Sequence, residues 1–559
     1  LLWPSSQVTG VSPVASGYET MRHRFPQDFV AARGVAMVVP EQFNVTTWLV
    51  DRNLKEGRGN SVAIECGDEC VTYGQLHERV DRLGNALRDL GMRTEERVLL
   101  ILLDTPEFFY SFLGAMKAGM VAVPANTMLK PPDYEYMLND SRARVVIVSE
   151  SLLAQVQAIP RERLRYLRDI VVVGNAPAGA HSFAELLKKA SPELEAEPTS
   201  KDEAAFWLYS SGSTGFPKGC VHLHHDIVVA SELYGKGVLG VREGDRCFSV
   251  AKLFFAYGLG NGLYFPLSVG ATSILWSGPP TPANVYSVIE RHRPTLLYSV
   301  PTNYVALLAH RREGADFNLS SIRNGVSAGE SLPPAVFERF KQRFGVEILD
   351  GLGSTELLHI VISNRRGAVR PGSSGQVVPG FEARIVNEQN QPVATGETGN
   401  LVVRCDSTCA YYWNKHQKTK DTIEGEWIRT GDKYYQDGDG YFWYAGRSDD
   451  MLKVSGQWVS PVEIEAALAS HPAVREAAVI GREDDQRLIK PMAFVVLEPN
   501  AKADEKTAHE LQDYVVSKLA PFKKPRWVEF VSELPKTATG KIQRFRLRER
   551  VKKAAPHNA

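Results

Sequence analysis

The sequence predicts an α/β protein: a large N-terminal domain of parallel-rich αβ subdomains, a small β-rich lobe, and a small α+β C-terminal domain. Three observations carry this reading. Short apolar runs alternate with amphipathic helical patterns through the first three quarters of the chain, the order that builds βαβ units. Between 371 and 403 the strands shorten and turn residues multiply, which marks the β-rich lobe. Past Gly446 the texture changes again, to a unit of about 110 residues, the size of one independent domain.

Each element has a local reason. The runs at 98–103, 145–148 and 170–173 are continuous Val, Ile and Leu, which suits strands buried on both faces. Patterns at 73–90 and 107–118 repeat apolar residues three and four apart and read as helices. In the last unit a helix is expected at 461–469, strands at 476–481 and 491–497, a helix at 507–519 and a strand at 527–530. No apolar run reaches the ~18 residues needed to span a bilayer. The stretch from Glu19 to Arg33 lacks the apolar core of a secretory signal, so a cytoplasmic location is expected.

Composition narrows the function. Lys plus Arg balances Asp plus Glu at 65 each, which gives no support to nucleic-acid binding. The tail from 541 to 553 is locally basic, but Phe545 is its one aromatic, and it reads as a solvated helical face. Six cysteines in 559 residues do not suggest a disulfide framework, and reduced thiols are expected. Cys66 with Cys70 and Cys405 with Cys409 have loose zinc-ligand spacing, but the two pairs lie far apart in the chain. His222, His224 and His225 cannot all face one ion from a regular helix. His222 and His225 could share a face, yet no nearby carboxylate or cysteine clearly completes a metal site.

The segment Tyr209-Ser210-Ser211-Gly212-Ser213-Thr214-Gly215-Phe216-Pro217-Lys218-Gly219 is the most informative. An apolar strand at 204–209 breaks into glycines and hydroxyls that end in a lysine. Glycines let backbone N–H groups converge, Ser and Thr add donors, and Lys218 adds positive charge, a combination that cradles phosphate. Pro217 and Gly219 stand where a Walker A loop needs Gly and Ser or Thr, so a kinase-type or GTPase-type loop is a poor reading.

Four further segments follow in order: Asp350-Gly351-Leu352-Gly353-Ser354-Thr355-Glu356, Arg429-Thr430-Gly431-Asp432, Gly446-Arg447-Ser448-Asp449-Asp450, and Pro535-Lys536-Thr537-Ala538-Thr539-Gly540-Lys541. With the phosphate segment they resemble the adenylate-forming superfamily of acyl-CoA synthetases, adenylation domains and luciferases, from roughly 40 to 550. The stretches around Phe255-Ala256-Tyr257, Ser354 to Ile360, Pro40 to Asn44 and Gly456 to Glu463 resemble its benzoate–CoA ligase branch.

The resemblance implies a two-step reaction. A carboxylate attacks the α-phosphate of ATP, giving an acyl-adenylate and pyrophosphate; the thiol of coenzyme A then displaces AMP. It assigns Ser210, Ser211, Gly212, Ser213, Thr214, Gly215 and Lys218 to the β- and γ-phosphates. Thr355 would reach the α-phosphate and Glu356 would coordinate Mg²⁺, a cation that favours carboxylate and phosphate oxygens. Asp432 and Arg447 would hold the ribose, and Gly329, Glu330, Asp350 and Gly351 would flank the adenine. Phe255, Ala256, Tyr257, Gly353, His359 and Ile360 would form a flat, mainly apolar acyl pocket for an aromatic carboxylic acid.

By spacing alone Lys541 reads equally as a catalytic lysine or as one more cation in a basic tail. The resemblance makes it the catalytic lysine that offsets charge as carboxylate and phosphate meet. The implied domains are 1–448, a hinge at 449–450 centred on Asp449, and a mobile 451–559 unit that brings Gly456 to a CoA tunnel. The Lys541 segment also resembles sites where relatives are silenced by a lysine acetyltransferase. The sequence leaves open a homodimer, a carrier protein as the acyl acceptor, and a non-aromatic acid as substrate. A non-catalytic nucleotide-binding module is disfavoured, because Lys218, Glu356, Asp432, Arg447 and Lys541 are all present.

Overall fold

A computed structural model describes residues 39–210, 216–447, 450–454, 457–485, 488–536 and 542–554. The N-terminal part is built on two large sheets. The nine-stranded sheet runs Gln376–Val377, Ile360–Ser363, Ile348–Gly353, Asn324–Ser327, Leu296–Ser299, Arg246–Ser249, Thr272–Leu275, Val62–Cys66, Glu69–Thr72. The eight-stranded sheet runs Tyr411–Tyr412, Lys218–Leu223, Ala204–Ser210, Val121–Pro124, Arg97–Ile101, Val145–Ser149, Asp169–Val173, His181–Ser182. The apolar runs predicted at 98–103, 145–148 and 170–173 are parallel neighbours in this second sheet, though the first strand ends at Ile101 and Ile170 and Val173 are half-buried.

The parallel-rich reading holds for the sheet interiors but not for their margins. Both edges of the nine-stranded sheet are antiparallel, as is the Tyr411–Lys218–Ala204 edge of the eight-stranded one. The reason lies in the connections. A short loop can only fold a strand back on itself, whereas a parallel neighbour needs a crossover of a dozen residues or more. Ala204–Ser210 and Lys218–Leu223 are joined by such a short loop, with Ser210 opposite Lys218.

Helices Tyr73–Asp89 and Pro106–Lys117 pack together through glycines. A Cβ on Gly114 would lie 2.8 Å from the Val80 carbonyl, so only glycine permits this approach. Thr72 and Gln75 close a capping box at the start of the first helix. One continuous core joins these helices to both sheets and includes Val98, Phe108, Phe112, Phe206 and Tyr264.

The β-rich lobe is larger than the sequence suggests. Its five strands are Glu382–Val386, Gly399–Arg404, Ile423–Glu424, Trp427–Gln436 and Phe442–Arg447, so it ends at Arg447 and not near 403. Its later strands carry charged residues on a half-solvated face, which hides the strand pattern. The final unit has the predicted order. Helix Pro461–Ala469 packs on strand Val474–Glu483, which forms a sheet with Ile489–Leu497 and Trp527–Phe530; helix Glu505–Lys518 packs beside both, and helix Arg544–Ala554 ends the unit. That last helix is not simply a solvated face, because Arg544 pairs with Glu465 at 2.6 Å and Arg548 with Asp450 at 2.7 Å. Among the described residues no helix is long and apolar enough to cross a membrane.

Candidate active site

Both stems of the candidate phosphate loop are gripped by one helix, Pro131–Asp140. The Tyr209 hydroxyl donates to Asp140 Oδ2 at 2.9 Å, and the Tyr136 hydroxyl donates to the Pro217 carbonyl at 3.0 Å. The Tyr136 ring stacks on Phe216, with centroids 4.7 Å apart. Ser211, Gly212, Ser213, Thr214 and Gly215 lie outside the described residues, as do Lys541, Asp449 and Gly456.

Across the stem sits Glu356. Its Oε1 accepts from the Ser210 hydroxyl at 3.1 Å and the Tyr412 hydroxyl at 2.9 Å, and lies 3.7 Å from Lys218 Nζ. Burial would raise this carboxyl, but the Lys218 ammonium and then the Tyr412 and Ser210 hydroxyls outweigh it, holding the group below its usual range. The turn that presents Glu356 is strained: Leu358 adopts a φ of 68°, rare for a bulky side chain. Three ties hold it. His222 Nε2 donates to the Thr355 carbonyl at 2.8 Å, the Cys409 N–H to the Glu356 carbonyl at 2.7 Å, and the Ser407 hydroxyl to the Leu357 carbonyl at 3.0 Å.

The histidine cluster thus has a different use from metal binding. His222 ends up on strand Lys218–Leu223, whereas His224 opens a helix, so the three rings diverge. His222 pairs with Asp226 at 2.8 Å in a fully buried site. His224 accepts from the Val45 N–H at 3.2 Å, and burial beside His225 pushes it down to about 3, keeping it neutral.

The nucleotide candidates fall into two sets. Asp432 and Arg447 face each other on adjacent strands, Nη1 to Oδ1 at 3.1 Å, and Arg447 also donates to the Thr430 carbonyl at 3.0 Å. Gly431, at a φ of 76°, lies where a Cβ would come 2.9 Å from the Arg447 guanidinium. Asp350 Oδ2 accepts from the Leu332 N–H at 3.2 Å, which ties the Gly329-Glu330 turn to strand Ile348–Gly353. Burial pushes Asp350 up to about 7. Burial, then Asp432 and, more weakly, Tyr444 and Asp350, hold the buried Tyr434 hydroxyl far above the ordinary range.

The acyl candidates meet around His359. Its ring lies 5.6 Å from Tyr257, 5.3 Å from Tyr234 and 4.5 Å from Phe265. Burial pushes His359 down to about 3, so it is neutral; Nε2 faces the Tyr257 carbonyl at 3.3 Å. Gly353 pairs with Ile360 across an irregular register, and Gly351 abuts the Ile360 side chain. Tyr257 is fixed by donation to the Ser299 and Val326 carbonyls at 3.1 and 3.0 Å. Ala256 is buried in the same helical turn, while the Phe255 ring packs on Phe254.

The sequence reading missed Tyr412 and the His222–Asp226 pair. A two-residue strand gives no periodic signal for Tyr412, and the His222 contact spans elements far apart in the chain.

Residues 50–413 match the model of the AMP-binding enzyme family, and 463–541 match that of the AMP-binding enzyme C-terminal domain. The chain belongs to the AMP-binding enzyme family. Within the AMP-binding enzymes it is 51% identical over 92% of its length to the benzoate–CoA ligase of Thauera aromatica, covering 97% of that protein. Its fold matches the anthranilate CoA ligase AuaEII in complex with anthranoyl-AMP, at TM-score 0.89 and 47% identity, over 92% of this chain and 99% of that one. It also matches a benzoate CoA ligase from Burkholderia xenovorans LB400, at TM-score 0.84 and 48% identity, over 90% and 100% of the two chains. The five ordered motifs therefore identified the superfamily correctly, and the stretches around Phe255-Ala256-Tyr257, Ser354 to Ile360, Pro40 to Asn44 and Gly456 to Glu463 its benzoate–CoA ligase branch.

Proposed function

We propose that this AMP-binding enzyme is an aryl-acid–CoA ligase. It converts a benzoate-sized aromatic acid, ATP and CoA to the aryl-CoA thioester, AMP and pyrophosphate through an acyl-adenylate. One observation carries the reading. A single strand-turn-strand segment, from Ile348–Gly353 to Ile360–Ser363, supplies Asp350 toward the nucleotide, Glu356 at the phosphate-loop stem, and Gly353, His359 and Ile360 at the aromatic cluster. Nucleotide and acyl groups meet on one turn, as in-line attack of a carboxylate on an α-phosphate requires. The similarity to ligases of benzoate and anthranilate supports the aromatic substrate.

In this reading Lys218 and the hydroxyls and N–H groups of the 210–215 loop hold the departing pyrophosphate. Asp432 accepts from the ribose hydroxyls while Arg447 fixes its orientation. Glu356 suits Mg²⁺. Among the described residues no cluster of three or more His, Cys, Asp or Glu could cage a metal, and Mg²⁺ commonly uses one carboxylate plus substrate phosphates. Bound Mg²⁺ would neutralise phosphate charge. Thr355 supports the α-phosphate, and Lys541 offsets charge as the carboxylate arrives.

Division at Asp449 into a 1–448 domain and a mobile 451–559 domain lets Lys541 withdraw and Gly456 approach for thioester formation. Acetylation of Lys541 would remove its charge and stop the first step. The test is release of AMP and pyrophosphate with ATP, Mg²⁺ and CoA across benzoate, its hydroxy and amino derivatives, a heteroaromatic acid, acetate and octanoate. CoA-dependent AMP release with a benzoate-sized acid is expected. Turnover confined to acetate and octanoate would overturn the aryl pocket.

A further inference from the structure

The phosphate-loop lysine and the candidate metal carboxylate are close but do not form a tight ion pair. Lys218 Nζ and Glu356 Oε1 are 3.7 Å apart, whereas a charge-assisted N–H to carboxylate bond closes to about 2.7–2.9 Å. Both groups are instead engaged by Tyr412. Its hydroxyl donates to Glu356 Oε1 at 2.9 Å, and the Lys218 ammonium lies 4.3 Å from its ring centroid. A desolvated ammonium over an aromatic face is attracted by the ring quadrupole, so one side chain binds the cation by its face and the anion by its edge.

Tyr412 is itself fixed. It is 2% exposed, pairs with Cys220 in strand register, and packs with Cys220 and Cys409.

We propose that Tyr412 is a positioning residue that keeps Lys218 and Glu356 apart and aimed, so that the arriving Mg·ATP finds neither charge locked to the other. This rests on the ligase reading, in which Lys218 meets pyrophosphate and Glu356 meets the metal. With Oε1 held by Tyr412 and Ser210, the Glu356 carboxylate is fixed where bound Mg²⁺ would use it. Without the phenol hydroxyl the carboxylate rotates and collapses onto Lys218. Each arriving charge must then break that pair first, a cost that falls on Mg·ATP binding and not on the acid or CoA.

The test compares Tyr412→Phe, which keeps the ring and drops only the hydroxyl, with Tyr412→Leu, which drops both. Calorimetric titration with ATP in the presence and absence of Mg²⁺ reads the gain in affinity that the metal confers. Tyr412→Phe is expected to lose at least about tenfold of that gain, the lower end for a hydrogen bond to a charged group, with KM for acid and CoA unchanged. Tyr412→Leu is expected to lose more and to raise KM for ATP. In a Glu356→Gln background, Tyr412→Phe should add almost nothing, because it acts through that carboxylate.

A full Mg²⁺-dependent gain in Tyr412→Phe, or additive losses in the double variant, would overturn the proposal while leaving the ligase reading intact. Loss of folding by Tyr412→Leu while Tyr412→Phe keeps wild-type ATP binding would equally reduce Tyr412 to packing. No Mg²⁺-dependent ATP binding by the wild-type protein would overturn both.

Discussion

His222 Nε2 lies 2.8 Å from the carbonyl oxygen of Thr355, 133 residues away in the chain, while Nδ1 of the same ring lies 2.8 Å from Asp226 Oδ2. Both ring nitrogens therefore face oxygen acceptors in a site closed to solvent, with Phe206 stacked at 5.2 Å. The pair anchors the strained turn that presents Glu356 to the stem of the phosphate loop.

His222→Ala should accordingly do double damage. It strands the Thr355 carbonyl and leaves Asp226 the Leu223 N–H at 3.1 Å, with His225 Nε2, bonded to the Asp406 carbonyl, only nearby. Breaking a buried pair by removing one partner costs about 3–5 kcal/mol, and the surviving contact places this case near the lower end. Urea unfolding should show the loss, and AMP formation should fall with it as the Glu356 turn loosens. The His222→Gln, Asp226→Asn double variant, whose amides can pair with each other, should lose less stability than His222→Ala alone.

Asp350 gives a pH-dependent outcome. Burial raises its pKa from the ordinary 3.8 to about 7, with only partial relief from the Leu332 N–H and neighbouring donors. The folded state thus holds this proton more tightly than the unfolded chain does. The resulting penalty is absent below about pH 4, grows as pH rises toward 7 and is complete above it, on the order of 4 kcal/mol at most. Asp350→Asn removes the titration and keeps an acceptor for Leu332. Its melting temperature should exceed the wild-type value at pH 8, and the difference should close as pH falls to 4. An unchanging difference would show that Asp350 carries no such penalty.

Much of this was legible because local pattern decided it. Continuous Val and Ile runs such as 145–148 read directly as buried strands, and the hydroxyls, glycines and Lys218 that follow strand 204–209 read as a candidate anion-binding loop. What stayed hidden depends on long-range pairing. The charged strand Trp427–Gln436 looks like turn sequence until Gly399–Arg404 pairs with it. The role of Tyr412 exists only because a two-residue strand docks on the edge beside Cys220. His222 was noticed as a candidate ligand, but its partner is a backbone carbonyl, a group present at every position and therefore without signature.

Gly353 tests the shape of the acyl side. A Cβ built there would lie 2.4 Å from the His359 carbonyl oxygen and 2.8 Å from the Ile360 N–H nitrogen, both backbone atoms that cannot swing aside. Gly353→Ala must therefore push strand Ile360–Ser363 away, shifting His359 and Ile360 together. The expected result is a KM for the aromatic acid raised at least about tenfold, with KM for ATP little changed, because the phosphate-loop stem is braced separately by Tyr136 and Asp140. Equal rises for acid and ATP would place Gly353 in the nucleotide site instead.

The two half-reactions offer the sharpest test of the proposed roles at the C-terminal end. If Lys541 acts only as carboxylate and α-phosphate meet, Lys541→Ala should abolish adenylate formation, with a loss of about 10²-fold or more, the scale of one removed electrostatic stabiliser. Thioester formation from supplied aryl-adenylate and CoA should be largely spared. Asp449→Pro should give the reverse. Proline fixes φ near −65° and restricts the residue before it, so a hinge at Asp449 could not complete its turn. Adenylate would then form and accumulate while aryl-CoA release stalls. Isotope exchange between pyrophosphate and ATP reads the first half, and thioester absorbance reads the second. Equal loss of both halves in Lys541→Ala would remove its half-specific role, and unimpaired thioester formation in Asp449→Pro would remove Asp449 as the hinge.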